Sequence, residues 1–543
     1  MEFLAIDIGS SFLKGAVLDL DTRRVRSVTR TPFPEPVSGL PAGHFEIPAD
    51  DVAAAAERLL RQLLEQSPRC AGVVASTQMG GLVLVDAAGR PSSHYLSWRD
   101  QRSVGTGQSF ARMKERLGEP RLAALGHDVK PGYMLSLLDW LQTRGAPPAP
   151  GLAPLSIGDF VLARLCHAQP LAHPTAACGS VAVATRQWDS GSIERLGLDR
   201  LAWPAMVELA TPVGEWRVGG RRLPCYPALG DHACALAGIL LEPGELSINI
   251  STGSQVSQLT DTLIAGAYQT RPYLDHRFLN TITHIPAGRS LNVIVDLLSE
   301  LARVQGLTLA DPWPYLASAA EQAEAREIAE QVPARRAPLA PLATPHTPRP
   351  EPSLGQPRRE TLDEPPRAGQ THAGEAHAGE APAGETPTGQ THAGQTHAVE
   401  ANTNEAGLGV DLSFFEGPLG NRGSITGITT DNLAVGPLFL AAFRAMARNY
   451  AVLAERISPE RLWSRLVFSG GLAQNLSILR RLVRQSLPGD CRVCPETEDT
   501  LRGLLAAALV ASGRSKSLAD ATRQLSQDER TATSEAKTLT RET

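Results

Sequence analysis

Two segments 242 residues apart, FLAIDIGSSFLKGAVLD (Phe3 to Asp19) and SINISTGSQVSQL (Ser247 to Leu259), follow one grammar. Each reads as an apolar strand, a turn of small residues and a returning strand, and Ile248-Asn249-Ile250 stands where Ile6-Asp7-Ile8 stands in the first. A repeat at that distance marks two related lobes rather than a solenoid, because each copy has room for a domain around it. Two more glycine-centred segments, LGDHACALAG (Leu229 to Gly238) and FSGGLAQN (Phe468 to Asn475), lie before and after the second copy.

The turns are where chemistry can sit. Gly9-Ser10-Ser11 and Thr252-Gly253-Ser254 carry little side-chain bulk, so backbone N–H groups and hydroxyls can approach a phosphate closely. Asp7 ends its strand facing the same point, and a carboxylate there suits Mg²⁺ held through water beside nucleotide phosphates. Lys14, on the returning strand, joins this nucleotide-binding set. Gly470-Gly471 follows the apolar Leu466-Val467-Phe468 and can lie flat against an adenine ring, with Asn475 placed to cap the next helix or reach the ribose. The bland alternative is an edge hairpin with a polar turn, and the second copy weighs against it. No GxxxxGK[ST] or strand-linked GxGxxG is present, which argues against a P-loop or Rossmann site.

Asp231 follows Gly230 and precedes an apolar helix, Ala233 to Leu241. On residue physics alone it is a helix N-cap. Gln78-Met79 ends the strand Val73 to Thr77, and Trp98-Arg99-Asp100-Gln101-Arg102 follows a Gly-Arg-Pro turn. Amides, carboxylates and guanidinium groups bind hydroxyls directionally, and an indole can cover an apolar sugar face, although either cluster can equally be ordinary surface polarity.

Taken in this order, the motifs resemble the FGGY carbohydrate kinase family. The resemblance implies an α/β fold of two ribonuclease-H-like, actin-like lobes flanking a catalytic cleft. It covers the chain except an insert, 329–406, and a tail; Ser10 stands where the family commonly has threonine, and a hydroxyl is kept. It implies a first lobe over 1–226, a second over 227–511 interrupted by the insert, and a disordered tail over 512–543. It further implies ATP-dependent, Mg²⁺-assisted phosphorylation of a sugar hydroxyl. Asp231 becomes the catalytic base, ionised at neutral pH, and Gln78, Met79, Trp98, Asp100 and Asp231 contact the sugar. Gly80 replaces the histidine common in xylulose kinases, and the Asn-Gln-Arg-Glu run of glycerol kinases is missing. The Asn249-Ile250-Ser251-Thr252 and Leu279-to-Asn292 stretches look closest to sedoheptulose kinases. Gly80 is also expected to leave room for a longer acceptor. The competing readings are a degenerate sugar or nucleotide sensor of the same fold, a kinase for another polyol or pentulose, and an actin-like assembly ATPase.

Composition narrows the class. At 543 residues the chain holds two or three domains, and a net charge of −5 offers no basic face for nucleic acid. Seven scattered cysteines suit a reducing compartment, and no apolar run reaches 18 residues, so a cytoplasmic protein without membrane partners is expected; a homodimer is left open. Cys491 and Cys494 have CxxC spacing but no second pair, so buried or surface thiols are the better account. The helix Ala49 to Gln66 places Val52, Leu59, Leu60, Leu63 and Leu64 on one face. From about Val332 the chain is rich in Pro, Ala, Thr, Glu and Gly, with glycines every five residues from Gly369 to Gly394. That composition cannot bury a core and reads as disorder, with His372, His377, His392 and His397 binding metal only adventitiously.

Overall fold

A computed structural model describes residues 1–105, 108–144, 146–308, 310–331, 407–487 and 489–528. The glycine-repeat insert and its histidines therefore lie outside the described residues. Contacts divide the chain into one unit, 1–324 with 404–543, which holds both sheets, and a second, 325–403, whose described part is helical through residue 331.

The first sheet has six strands: β1 (Glu2–Ile8), β2 (Phe12–Asp19), β3 (Arg24–Pro32), β4 (Cys70–Thr77), β5 (Gly214–Val218) and β6 (Arg221–Gly230), in the order β5-β6-β4-β1-β2-β3. The second has β7 (Glu245–Asn249), β8 (Ser254–Thr260), β9 (Gln269–Pro272), β10 (Phe278–Ile285), β11 (Arg465–Ser469) and β12 (Asp490–Val493), in the order β9-β10-β8-β7-β11-β12. In each sheet a leading strand pairs antiparallel with the return of its hairpin and parallel with a later strand: β1 with β2 and β4, β7 with β8 and β11. Asp7 lies opposite Lys14 and Ser76, and Asn249 lies opposite Gln255 and Ser469. The sequence repeat is thus a repeat of topology, with the second hairpin one residue shorter: Asp7 pairs seven residues on and Asn249 six.

Burial explains why β1 has no polar face. Leu4, Ile6 and Ile8 belong to a core shared with the helix α1 (Ala49–Glu65), while Phe3 and Ala5 point into another core on the opposite side. That second core is built largely from the helices α2 (Asp231–Gly238) and α3 (Asp499–Ala511). Leu501, Leu504, Leu505 and Leu509 on α3 are all buried, each contributing roughly 1.5–3 kcal/mol of transfer free energy. The same core takes Val467 and Leu259 from the second sheet, so it joins the lobes. The second sheet's other face packs on the helix α4 (Val435–Ile457).

Two expected boundaries change. The lobe division placed after Tyr226 falls inside β6, which runs to Gly230 because Cys225, Ala228, Leu229 and Gly230 pair with β4 despite two prolines. The expected disordered tail is helical over 518–528, with Leu518, Ala521 and Leu525 buried at helical spacing; residues 529–543 lie outside the described residues. The oxygens of Asp275 accept from the N–H groups of Leu518 and Ala519, and Arg23 pairs with Asp528 through Nε and Nη2 at 2.6 and 2.7 Å. Among the described residues no helix is long and apolar enough to cross a membrane.

Candidate active site

The carboxyl ends of β1, β4 and β6 stand side by side, with Ile8 paired to Thr77 and Thr77 to Gly230. Ligands of open α/β sheets bind at such strand ends. Gly230 has to be glycine for space: a Cβ there would lie 2.3 Å from the carbonyl oxygen of Thr175. The chain then turns into α2, whose first residue is Asp231.

Asp231 is not the N-cap that residue physics favours. Gly230 holds that position, and Asp231 Oδ1 instead accepts from the next backbone N–H, of His232, at 2.7 Å. Nor is it firmly ionised. Burial, then the negative charge of Asp7, push its carboxyl up to about 7, with Asp499 adding to the rise and Arg271 opposing it. The expectation of a carboxylate held fully ionised by a helix N-terminus is corrected, because an eight-residue helix cannot offset desolvation plus two neighbouring acids.

Asp7 is buried and accepts from Ser76 Oγ at 2.8 Å; burial raises its pKa, against the effects of Ser76 and Lys14. Asp499, which no sequence motif indicated, opens α3 and is raised by burial and by Asp7. A packing signal brings it here. A Cβ on Gly238 would lie 1.7 Å from Asp499 O, and one on Gly503 would lie 1.9 Å from Cys234 O, so the two helices cross at glycines. Asp7 raises the pKa of both Asp231 and Asp499, and Asp499 adds to the rise at Asp231, so the three carboxyl groups gather negative charge in one place. No group of three or more His, Cys, Asp or Glu is set to hold a metal directly among the described residues.

Gln78 is buried beside the first turn, with its N–H on Ile8 O at 2.9 Å and Nε2 on Gly9 O at 3.3 Å, while its Oε1 has no partner. A buried amide oxygen left open is an acceptor waiting for a donor. Met79 lies over Gly230 and has its Sδ 4.0 Å from Arg271 Nη1. Gly9, Ser10 and Ser11 form the exposed or half-buried turn between β1 and β2.

In the second hairpin Thr252 and Gly253 are exposed at the turn, and a Cβ on Gly253 meets nothing within 4 Å. Gly470, at φ 88°, would place a Cβ 2.6 Å from Ile250 O, so the Gly-Gly turn abuts this hairpin; Gly471 faces open space. Asn475 is exposed and does not cap the following helix, whose N-cap is Leu476.

Four expectations are altered. Ser254 is buried and accepts from Tyr450 OH at 2.9 Å, so its hydroxyl closes the hairpin rather than facing the turn. Lys14 reaches Glu498 at 3.0 Å, and Arg30 pairs with the same carboxylate, so Lys14 ties the first hairpin to the residue before α3. Asp100 is fully buried, and its oxygens accept from Phe45 N at 2.7 Å and from Arg102 N, Nε and Nη2 at 2.7–2.9 Å. That carboxylate has no capacity left for a sugar. Gly80 leaves no vacant volume: at φ +83° a Cβ would lie 2.6 Å from the Tyr133 ring and 3.1 Å from Trp98 Cβ. Trp98 itself is half-buried next to these groups.

A second cluster escaped sequence reasoning because its members come from distant segments. Arg271 on β9 forks onto Asp128, His232 accepts from Arg271 Nη1 at 2.9 Å, and Lys130 Nζ lies 2.9 Å from Thr283 Oγ1. All seven cysteines are free; Cys178 is buried beside this cluster, its thiol pushed up to about 12 by burial and Asp128.

The fold and strand-end acids define a two-lobed protein of the actin-like class. Residues 3–221 match the model of the FGGY family of carbohydrate kinases, N-terminal domain. A glycerol kinase of Marinomonas sp. (strain MWYL1) is 22% identical over 306 residues, covering 52% of this chain and 60% of that protein. A xylulose kinase of Staphylococcus xylosus is 26% identical over 213 residues, covering 38% of this chain and 42% of that protein. The chain thus matches less than two thirds of the length of these curated relatives. The solved gluconate kinase from Lactobacillus acidophilus superposes with a TM-score of 0.69 at 13% identity, covering 96% of this chain and 92% of that one, a likeness of fold. Neither curated relative is a sedoheptulose kinase.

Proposed function

We propose that this chain is an ATP-dependent sugar kinase, a phosphotransferase with an alcohol group as acceptor, and that Asp231 is its general base. The observation that carries the reading is the meeting of Asp231 with Asp7 at the ends of the two strands that flank β4, where the charge of Asp7 raises the pKa of Asp231. A base with a pKa near 7 both exists as carboxylate at neutral pH and accepts a proton with useful driving force.

The sugar hydroxyl donates toward Asp231, and its oxygen forms a bond to the γ-phosphorus as the bond to the bridging oxygen of ADP breaks. The proton passes to Asp231 and the electron pair of the broken bond leaves with ADP. Open backbone at Gly9-Ser10-Ser11 and Thr252-Gly253 receives phosphates, while Gly470, Gly471 and the exposed Asn475 line the nucleoside side. Asp7 is the residue that would hold Mg²⁺, with Asp499 adding negative charge; when bound, the ion neutralises phosphate charge. Gln78 Oε1 takes a sugar hydroxyl and Trp98 covers an apolar face.

The finer acceptor reading is a ketose of six or seven carbons, as in sedoheptulose kinases, and it rests on the resemblance alone now that Gly80 is seen to open no space. ADP release measured over ketoses, aldoses, polyols and sugar acids tests the whole reading. Rates with every acceptor equal to the rate without one would sink it.

A further inference from the structure

We propose that Lys130 is the binding site for a carboxylate on the acceptor, so that the acceptor is a sugar acid: a polyhydroxylated chain ending in a carboxylate. This rests on the kinase reading for transfer, but not for binding.

Lys130 is a half-buried cation without an ion-pair partner among the described residues. No carboxylate oxygen lies within salt-bridge distance of its Nζ among the described residues, and both oxygens of its nearest acid, Asp128, are taken by Arg271 at 2.8 and 3.0 Å. Its acceptors are Thr283 Oγ1 at 2.9 Å and His284 Nδ1 at 3.4 Å, and the Tyr133 ring centroid lies 5.6 Å away. An ammonium has three protons, so one donor remains. His284 is held neutral, its pKa lowered to about 4 by burial and by the charges of Lys130 and Arg271, and adds no negative charge. Burial lowers Lys130 itself to about 8, which leaves it mostly protonated at neutral pH. Desolvating a cation without a partner costs free energy, and an arriving anion recovers it.

Its place fits an acceptor. Tyr133, which Lys130 faces, fills the space over Gly80, and Gly132 abuts Trp98, where a Cβ would lie 2.0 Å from Trp98 O. Through the Tyr133 ring the ammonium neighbours Gly80 and Trp98, and Arg271, whose charge acts on Lys130, lies 4.0 Å from Met79 Sδ. His284 holds φ +63°, uncommon for a side-chain-bearing residue, and its carbonyl abuts Gly417, where a Cβ would lie 2.8 Å away. A single ammonium with one free donor suits the single charge of a carboxylate better than a phosphate dianion, for which a free guanidinium fork would be expected.

The test is calorimetric titration of the full chain with D-gluconate and D-galactonate, the matching alditols D-glucitol and galactitol, and the uncharged amide D-gluconamide. The aldonates are expected to bind at least about tenfold tighter than alditols and amide. Lys130→Met should erase that preference while leaving alditol affinity within about twofold, and Lys130→Arg should retain it. Aldonates binding no tighter than alditols to the wild type, or Lys130→Met weakening both alike, overturns the proposal. D-glucitol 6-phosphate taking the site in preference to the aldonates also overturns it, as a phosphate site. The wild-type comparison of aldonate with amide decides the question even if Lys130→Met fails to fold. Lys130-dependent aldonate binding without ADP release leaves this inference standing and removes the kinase reading; ADP release with neutral sugars alone does the reverse.

Discussion

Arg271 Nε and Nη2 stand 2.8 and 3.0 Å from the two carboxylate oxygens of Asp128, with both side chains buried. The pair ties a loop of the first half of the chain to β9, at the edge of the second sheet. Arg271 Nη1 donates to His232 Nδ1, which leaves Nε2–H to donate to Ser257 Oγ at 3.3 Å. His232 follows Asp231, so the ion pair braces the start of the helix that carries the proposed base.

Breaking that pair should be costly. Arg271→Met leaves Asp128 buried and uncompensated, and the expected loss is about 3–5 kcal/mol in denaturant unfolding. Asp128→Leu combined with Arg271→Met should recover much of it. A double variant as unstable as the single one would mean that packing by Arg271, not its charge, supplies the stability.

Asp231→Asn keeps the contact with His232 N, because the amide oxygen can still accept. Phosphoryl transfer is expected to fall by roughly 10²–10⁴ with nucleotide and sugar affinities near wild type. Single-turnover assays beside calorimetry measure this. Turnover at the wild-type level would remove the base role.

The pH profile follows from the same group. A base raised to about 7 must lose its proton to act, so kcat/KM for the free enzyme should climb with pH through about 7 and level off above it. In Asp231→Asn the residual rate should lack this limb. A wild-type profile flat between pH 5.5 and 8.5 would contradict the assignment.

Asp7→Ala should weaken use of the metal–nucleotide complex while sugar affinity stays unchanged, since Asp7 sits at the first turn and is bound by Ser76 rather than by the proposed sugar wall. Titrating activity with Mg²⁺ at fixed ATP, alongside calorimetry with sugar, separates the two. Equal loss of both affinities would make Asp7 a structural residue.

Asp159 makes a stability prediction independent of catalysis. It is buried, its Oδ1 has no partner, and desolvation raises its carboxyl to about 7 against a hydrogen bond from Ser156 Oγ at 2.7 Å. The folded pKa is above the unfolded one, so this stabilisation is complete below about pH 4 and is lost as pH rises through 7, by at most about 1.4 kcal/mol per unit. The thermal midpoint should drop between about pH 4 and 7 and level off above, and Asp159→Asn should shrink that drop. An unaltered drop in the variant would place the effect elsewhere.

The sequence by itself determined the duplicated hairpin, because its signal is local: alternating burial and a turn of small residues are set by neighbours along the chain. That Asp7 lies opposite Ser76 and Asn249 opposite Ser469 was set by strand pairing across the sheets, which the chain order alone does not give. Gly230-Asp231 was legible as a motif, but its protonation was not, since that depends on burial and on Asp7 and Asp499 arriving from both ends of the chain. Asp100 was misread because composition cannot reveal that Arg102, two residues on, would fill its carboxylate. The helix at 518–528 was hidden among polar residues whose three apolar neighbours matter only once a core exists to receive them. The cluster of Asp128, Lys130, Arg271, His232 and Thr283 came together only in the folded chain, because contacts between residues 39 to 153 positions apart are fixed by how the sheets and helices pack, not by any spacing along the chain.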